Sequence, residues 1–250
     1  DSDGIKSDYS NETSTLLAAK IGVDGRHLTR LFERSIGATP AWVAQSRRAH
    51  FARRLLDETD LKMGEVAFAS GFQSVRQMNR VMLTKFHFTP SELRGKRRVD
   101  DRLVVDRGLK LRLPTPDGYE FDGSLKFLEP RLIPGVESIS DGVYRRITDN
   151  CGFPGVIEVK CDSTGDHLEF TAHLSSYSGL LNDVGRVQSF LGLNIDTSVS
   201  REVLAGRELI DPLVQASERL PYTGAFDRFE TSIRIIVGQQ VSVKAASQLA

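Results

Sequence analysis

Apolar residues in the first hundred positions recur at helical spacing, and they do so twice. Leu16, Leu17 and Ile21 form a short stripe, Gly22-Val23-Asp24 interrupts it, and Leu28, Leu31 and Phe32 resume it. Asp24 has the chemistry of an N-cap, because its carboxylate accepts from the free amides that open a helix. Arg26, His27, Thr29 and Arg30 fall on the other face of that second helix. The second copy predicts a helix over 65–70, a turn at Gly71-Phe72-Gln73 and an N-cap at Ser74. Met78, Val81 and Met82 then make the buried stripe, and Arg76, Gln77, Asn79 and Arg80 the outer face. Arg30 and Arg80 stand at equivalent places, 50 residues apart. Between the copies, Pro40 suits the first turn of a helix. That helix runs through Trp42, Val43, Phe51, Leu55 and Leu56 to Glu58, with Arg47, Arg48, Arg53 and Arg54 on its polar side. A helix, a glycine-containing turn and a basic second helix, repeated, is the sequence form of two helix-turn-helix units. The connecting helix can hold two reading helices about 34 Å apart, one turn of DNA.

The period changes at residue 109. Leu109, Leu111 and Leu113 alternate with Lys110 and Arg112, which predicts a strand with one buried face, ended by Pro114 and Pro116. Residues 121–133 are helical in pattern, with Pro134-Gly135 as the stop, and 136–148, 155–162 and 167–174 read as strands. Ile157, Val159 and Cys161 share one face, as do Leu168, Phe170, Ala172 and Leu174, so Cys161 reads as a core residue rather than a nucleophile. Residues 177–193 return to helical spacing, and the remainder looks helical, with Pro212 and Pro221 as breaks. Strands joined by short turns, with two helices, predict an antiparallel sheet covered on one face, followed by helices. The fold class is α+β, multidomain, and the 250-residue length agrees with more than one domain.

Charge divides the chain at the same place. The total is balanced, 33 Lys+Arg against 33 Asp+Glu, but residues 15–98 hold 16 basic and 7 acidic side chains while 99–250 hold 16 and 22. A basic excess in a short helical segment is either an electrostatic footprint for phosphate backbones or a solubilising surface. Residues 1–14 are acidic and polar and read as a disordered tail, and 99–108 as a linker. No stretch approaches the ~20 apolar residues of a membrane span, which excludes a helical membrane anchor here. Cys151 and Cys161 are too few for a disulfide framework or a four-cysteine zinc site, and a reducing cytoplasm is the expected compartment. Position 1 is Asp rather than Met, and Ala250 falls inside an apolar helical pattern, which points to a portion of a longer protein.

Residue chemistry alone assigns no activity to 109–250. No glycine-rich phosphate loop follows a strand, so no nucleotide cofactor is expected. The five His are scattered without metal-ligand spacing, so no metal is expected either.

The first hundred residues carry a family resemblance. Leu17-Ala18-Ala19, Leu28-Thr29-Arg30-Leu31-Phe32, Gly37-Ala38-Thr39-Pro40, Val66-Ala67-Phe68-Ala69-Ser70-Gly71-Phe72 and Phe88-Thr89-Pro90-Ser91-Glu92-Leu93-Arg94 resemble the AraC-type DNA-binding domain over its whole length. The resemblance implies that Arg26, Thr29 and Arg30 read bases from the first helix, and Arg76, Gln77 and Arg80 from the second. Arg suits guanine O6 and N7, and Gln suits adenine. A plainer reading leaves only Arg30 and Arg80 on DNA, at phosphates. Met82 replaces the aromatic residue usual in the family.

Residues 109–250 resemble the start of the DNA-3-methyladenine glycosylase II (AlkA) family. The motifs are Leu111-Arg112-Leu113-Pro114, Pro134-Gly135-Val136-Glu137, Gly142-Val143-Tyr144-Arg145-Arg146, Phe226-Asp227-Arg228-Phe229-Glu230 and Ile236-Val237-Gly238-Gln239-Gln240-Val241-Ser242, with Lys244-Ala245-Ala246 beyond. The family places a small antiparallel domain before a helix-hairpin-helix glycosylase domain, and it removes alkylated purines by flipping the nucleotide out of the duplex. By this resemblance Gln240 is the wedge that fills the gap left by the flipped base. Phe127 and Gln239 line the base pocket, where an aromatic face stacks on an electron-poor purine. Phe127 as plain helix core, and Gln239-Gln240 inside a helix, are the packing alternatives. The catalytic Asp and the helix-hairpin-helix of the family lie beyond residue 250, so no residue of 1–250 takes the catalytic role. The order of the two parts resembles Ada-like adaptive-response fusion proteins, without the cysteines of their methyl-acceptor domain.

The implied organisation is a tail over 1–14, an AraC-type domain over 15–98, a linker over 99–108, an AlkA N-terminal-like domain over 109–200 and the start of a glycosylase domain over 201–250. The implied partner is double-stranded DNA, alkylated DNA included. Two other classes stay open at this point: a regulator whose second domain senses a small molecule, and a damage-recruitment module without catalysis.

Overall fold

The computed structural model describes residues 15, 17–96, 108–150, 152–163, 165–207, 209–216, 219, 222–243 and 245–246. The expected tail over 1–14, Leu16, the linker as far as 107, Cys151, Pro221 and Lys244 lie outside the described residues. The chain forms two compact units, 1–100 and 101–250.

The first unit is helical. After a helical turn over 17–21 come α1 (Gly25–Ile36), α2 (Pro40–Glu58), α3 (Met63–Ala69), α4 (Val75–Phe86) and α5 (Pro90–Gly95). The 50-residue repeat extends beyond the two arginines. Asp24 caps α1 by accepting from the amides of Arg26 and His27, and Ser74 caps α4 by accepting from that of Gln77. Both helices close on a left-handed residue, Gly37 at φ 73° and His87 at φ 59°. In both copies a Thr-Pro pair then starts the next helix, with the Thr39 and Thr89 hydroxyls accepting from Trp42 and Glu92. Ala49, Ala52, Leu55 and Leu56 of α2 are fully buried, as are Val66, Ala67, Met78, Met82 and Leu93 of the other helices. Trp42, one of the apolar residues set opposite the arginine face of this helix, is 54% exposed. It sits in the first turn of α2, where the Lys85 ammonium lies 3.9 Å from its ring centroid instead of an apolar cover.

The second unit is built on one antiparallel sheet of β1 (Leu109–Pro114), β2 (Glu137–Ser140), β3 (Val143–Asn150), β4 (Phe153–Cys161) and β5 (His167–His173), in the order β1-β5-β4-β3-β2. The register sets Leu111, Phe170, Val159 and Tyr144 in one row across the sheet, and Leu109, Ala172, Ile157, Arg146 and Glu137 in the next. All nine side chains are buried. The opposite face is charged and internally paired, with Lys110 and Lys160 on Glu169 and Arg145 on Glu158. Phe121, Leu125 and Leu128 of α6 (Phe121–Leu128) and Leu180, Val184, Val187 and Phe190 of α7 (Leu180–Phe190) are buried with the apolar face. Helices α8 (Ser198–Leu204), α9 (Asp211–Gln215) and α10 (Arg228–Gly238) follow.

Several expectations shift. The helix expected over 121–133 stops at Leu128 and tightens to a 3-10 turn over Glu129–Arg131, because Pro130 has no amide to continue the ladder. The single strand expected over 136–148 is a hairpin folded at Asp141 (φ 54°) and Gly142 (φ 71°), and paired positive φ values at Asp-Gly match the twist of the flanking strands. Pro212 opens α9 rather than breaking a helix. Cys161 is exposed, not core. It is the last residue of β4, where partial burial, then the Asp162 and Asp122 carboxylates, push its thiol up.

Candidate nucleic-acid interface and cavity

Six arginines of the first unit contrast in their partnering. Arg53 and Arg54 on α2 pair with residues one turn further along the helix, Asp57 at 2.7 Å and Glu58 at 3.2 Å. Arg26 and Arg30 on α1, and Arg76 and Arg80 on α4, are exposed and form no ion pair among the described residues. Caps at Asp24 and Ser74 fix where each helix begins, and so fix which face these four side chains share with Thr29 and Gln77. The two polar residues are more constrained than their neighbours. The half-buried Thr29 hydroxyl donates to the Gly25 carbonyl at 2.9 Å, and the Gln77 side-chain oxygen accepts from the Gln73 amide at 2.9 Å. Gln77 therefore retains a free amide NH2, a pair of donors, on that face.

The second unit holds two cavities that share a wall. One, of about 320 Å³, is lined by Phe127, Phe190, Phe226, Glu137, Glu230 and Arg234 among others. The other, of about 430 Å³, is lined by Tyr119, Phe127, Leu191, Leu213, Arg219 and Tyr222 among others. Phe127 is common to both and 46% exposed, so it is not plain core. The Arg131 guanidinium lies 3.9 Å from its ring centroid and donates to its carbonyl at 2.6 Å. Gln239 and Gln240 do not lie inside a helix: α10 ends at Gly238, and both glutamines are exposed in the turn that follows. Gly238 lines the first cavity and the two glutamines line neither. The structure thus brings Phe127 to a cavity and places Gln239 and Gln240 just past the last helical residue on its rim.

A charged group that pattern reading missed underlies the first cavity. Arg146 is 5% exposed on the apolar face of the sheet. One guanidinium nitrogen donates to Glu137 at 2.6 Å and another to Glu230 on α10, while the group lies 4.3 Å from the Phe226 ring centroid. Glu137 also accepts from the Tyr144 hydroxyl at 2.7 Å and from the Ile133 amide at 3.1 Å. Burial opposes the charge on Arg146, but Glu230 and the other acidic neighbours more than offset that, and its pKa rises. Burial and Glu137 also push the Tyr144 phenol up, so it remains a donor. The available signal was an arginine at an inward position of a strand, in register with Ile157.

A repeated helix-turn-helix unit followed by an antiparallel sheet with helices on one face defines an α+β protein with a helix-turn-helix domain. Residues 17–96 match the family described as a helix-turn-helix domain, and 110–227 match the AlkA N-terminal domain. The chain therefore carries an AraC-type helix-turn-helix domain followed by an AlkA N-terminal domain. It is 32% identical over 239 residues to the probable bifunctional transcriptional activator/DNA repair enzyme AlkA of Mycobacterium tuberculosis, covering 92% of this chain and 47% of that protein. It is 27% identical over 131 residues to DNA-3-methyladenine glycosylase 2 of Escherichia coli, covering 52% and 44%. The solved 3-methyladenine DNA-glycosylase from Archaeoglobus fulgidus aligns at a TM-score of 0.46 and 18% identity, over 55% of this chain and 47% of that one. The chain spans about half the length of the curated relatives it matches, 47% and 44% of these two.

Proposed function

We propose that the whole protein couples regulation of alkylation repair to the repair itself, in the bacterial cytoplasm. On this reading the helix-turn-helix domain binds a preferred duplex sequence, and the remainder flips an alkylated purine out of DNA and cuts its glycosidic bond. One observation carries it. The two domains occur in one chain, in an order matched over 92% of its residues by a relative whose name joins transcriptional activation to DNA repair. Arg26, Thr29, Arg30, Arg76, Gln77 and Arg80 are the proposed DNA contacts, Phe127 and Gln239 the proposed base-pocket residues, and Gln240 the proposed wedge. With no aliphatic side chain, Gln240 fills the gap and hydrogen-bonds the orphaned partner base. Supporting the reading, Phe229, Ile233 and Ile236 repeat along one exposed face of α10, a stripe of the kind a further helical segment covers.

The catalytic carboxylate is proposed to lie outside residues 1–250. The test is free 3-methyladenine released from methylated duplex DNA by the full-length natural protein, with 1–250 in parallel. Release by the whole protein and none by 1–250 is expected. Release by 1–250 alone would sink the assignment of the catalytic residue. No release by the whole protein, with sequence-specific binding intact, would favour the regulator that senses a small molecule, and the 430 Å³ cavity would become its candidate pocket.

A further inference from the structure

Helix α10 is held in an unusual way. It contributes no buried side chain, and Phe229, Ile235 and Ile236 are more than half exposed. Apolar packing, the ordinary and non-directional means of docking a helix, is therefore a small part of its attachment. Its polar ties are specific instead. Glu230 receives Arg146 from the sheet on one carboxylate oxygen and lies 4.0 Å from Arg234 on the other. Arg234 also donates to the Arg131 carbonyl, and Arg131 stacks on Phe127. A continuous polar chain thus runs from Glu137 on β2, through Arg146, Glu230, Arg234 and Arg131, to the aromatic wall shared by both cavities.

We propose that Arg146 is a positioning residue: acting through Glu230, it fixes α10, and with it the Gln239-Gln240 turn, relative to the Phe127 wall. A guanidinium suits the task because its rigid fork presents separate N–H donors to Glu137 and Glu230 at once, which a lysine's single ammonium cannot reproduce with the same geometry. Buried ion pairs are weak contributors to stability compared with apolar packing and are better attested as devices that set register. That the turn's position matters to DNA rests on the function proposed above. That Arg146 sets the position does not.

Two variants of the 250-residue chain test this. Glu230→Gln leaves Arg146 paired to Glu137, so the sheet keeps its buried charge satisfied, and Arg146→Lys keeps the charge while losing the fork. Amide hydrogen exchange over 231–239 should quicken by about tenfold or more in both variants, with 144–159 unchanged. Unchanged exchange over 231–239 in both overturns the proposal. The second measurement compares duplexes with and without a stable abasic-site analogue. Wild type should prefer the abasic duplex, and Glu230→Gln should lower that preference about tenfold without changing affinity for the undamaged duplex. Gln240→Ala should then add nothing in the Glu230→Gln background, since residues acting as one unit are non-additive. Additive losses would overturn the link from Glu230 to Gln240. A wild-type chain with no abasic preference would overturn Gln240 as the wedge within residues 1–250, and the exchange experiment would still decide the role of Arg146.

Discussion

Arginine is used in opposite ways in the two units. In the helix-turn-helix unit Arg26, Arg30, Arg76 and Arg80 stand in solvent on two capped helices, without ion pairs among the described residues. In the sheet unit Arg146 is buried and shared by two carboxylates and an aromatic ring. An exposed, unpaired cation contributes little to its own fold and is available to an outside anion. A buried one held between two carboxylates is engaged by its own fold instead. The paired Arg53 and Arg54 lie between these extremes. Partnering, more than net charge, thus separates arginines open to an outside anion from those tied into the scaffold.

The largest expected effect comes from reversing this in the sheet unit. Arg146→Ala leaves Glu137 buried without its cation, a loss of about 3–5 kcal/mol. In denaturant unfolding of the chain, the sheet unit should melt early while the helical unit keeps its midpoint. Next come Arg30→Ala and Arg80→Ala, each expected to weaken duplex binding by about 1–3 kcal/mol with no change in unfolding. A salt titration divides the roles, since a slope shallower by about 1 marks a phosphate contact, and a relaxed sequence preference marks a base contact. An unchanged affinity in both variants would break the comparison.

Asp183 sharpens it with an acid. Burial raises this carboxyl from 3.8 to about 6, against the lowering pull of Arg186 at 3.9 Å. The folded chain therefore holds this proton more tightly than the unfolded chain does. The resulting stability is fully present below about pH 4 and is lost as pH rises through about 6. Asp183→Asn should flatten the stability profile over that window and raise stability near pH 7.5 by on the order of 1–2 kcal/mol. The smallest effect is expected for Arg53→Ala, which removes the same charge as Arg30→Ala. It should cost less than about 0.5 kcal/mol in stability and change duplex affinity by less than about twofold.

Much of the fold was legible because its signals are local. The caps at Asp24 and Ser74, the turn at Gly71-Phe72-Gln73, the span of α2 and the alternation of β1, β4 and β5 all follow from residues within one turn or one strand of each other. Local reading failed where the outcome depends on what covers a residue. Cys161 has the correct parity for the core yet ends its strand beside carboxylates, and Trp42 has the correct period yet meets Lys85. It also failed across distance. Arg146 and Glu230 are 84 residues apart, and no periodicity links a strand arginine to a helix glutamate so far along the chain. Of the candidate site, the basic faces could be read from spacing. Phe127, Gln239 and Gln240 came from family resemblance, and the end of α10 one residue before the glutamines was visible only in three dimensions.

The long helix α2 carries a consequence for how this protein can diverge. It is the rod on which the two copies of the 50-residue repeat are mounted, and an α-helix advances about 100° per residue. One residue inserted or deleted near its middle would swing one reading helix out of phase with the other by more than a quarter turn, although every cap and core contact within each copy could persist. To keep the two copies in phase, α2 must keep its 19 residues or change by close to whole turns. Under the proposed function, the spacing of the recognised DNA sequence is thereby written into a helix that need not touch a base.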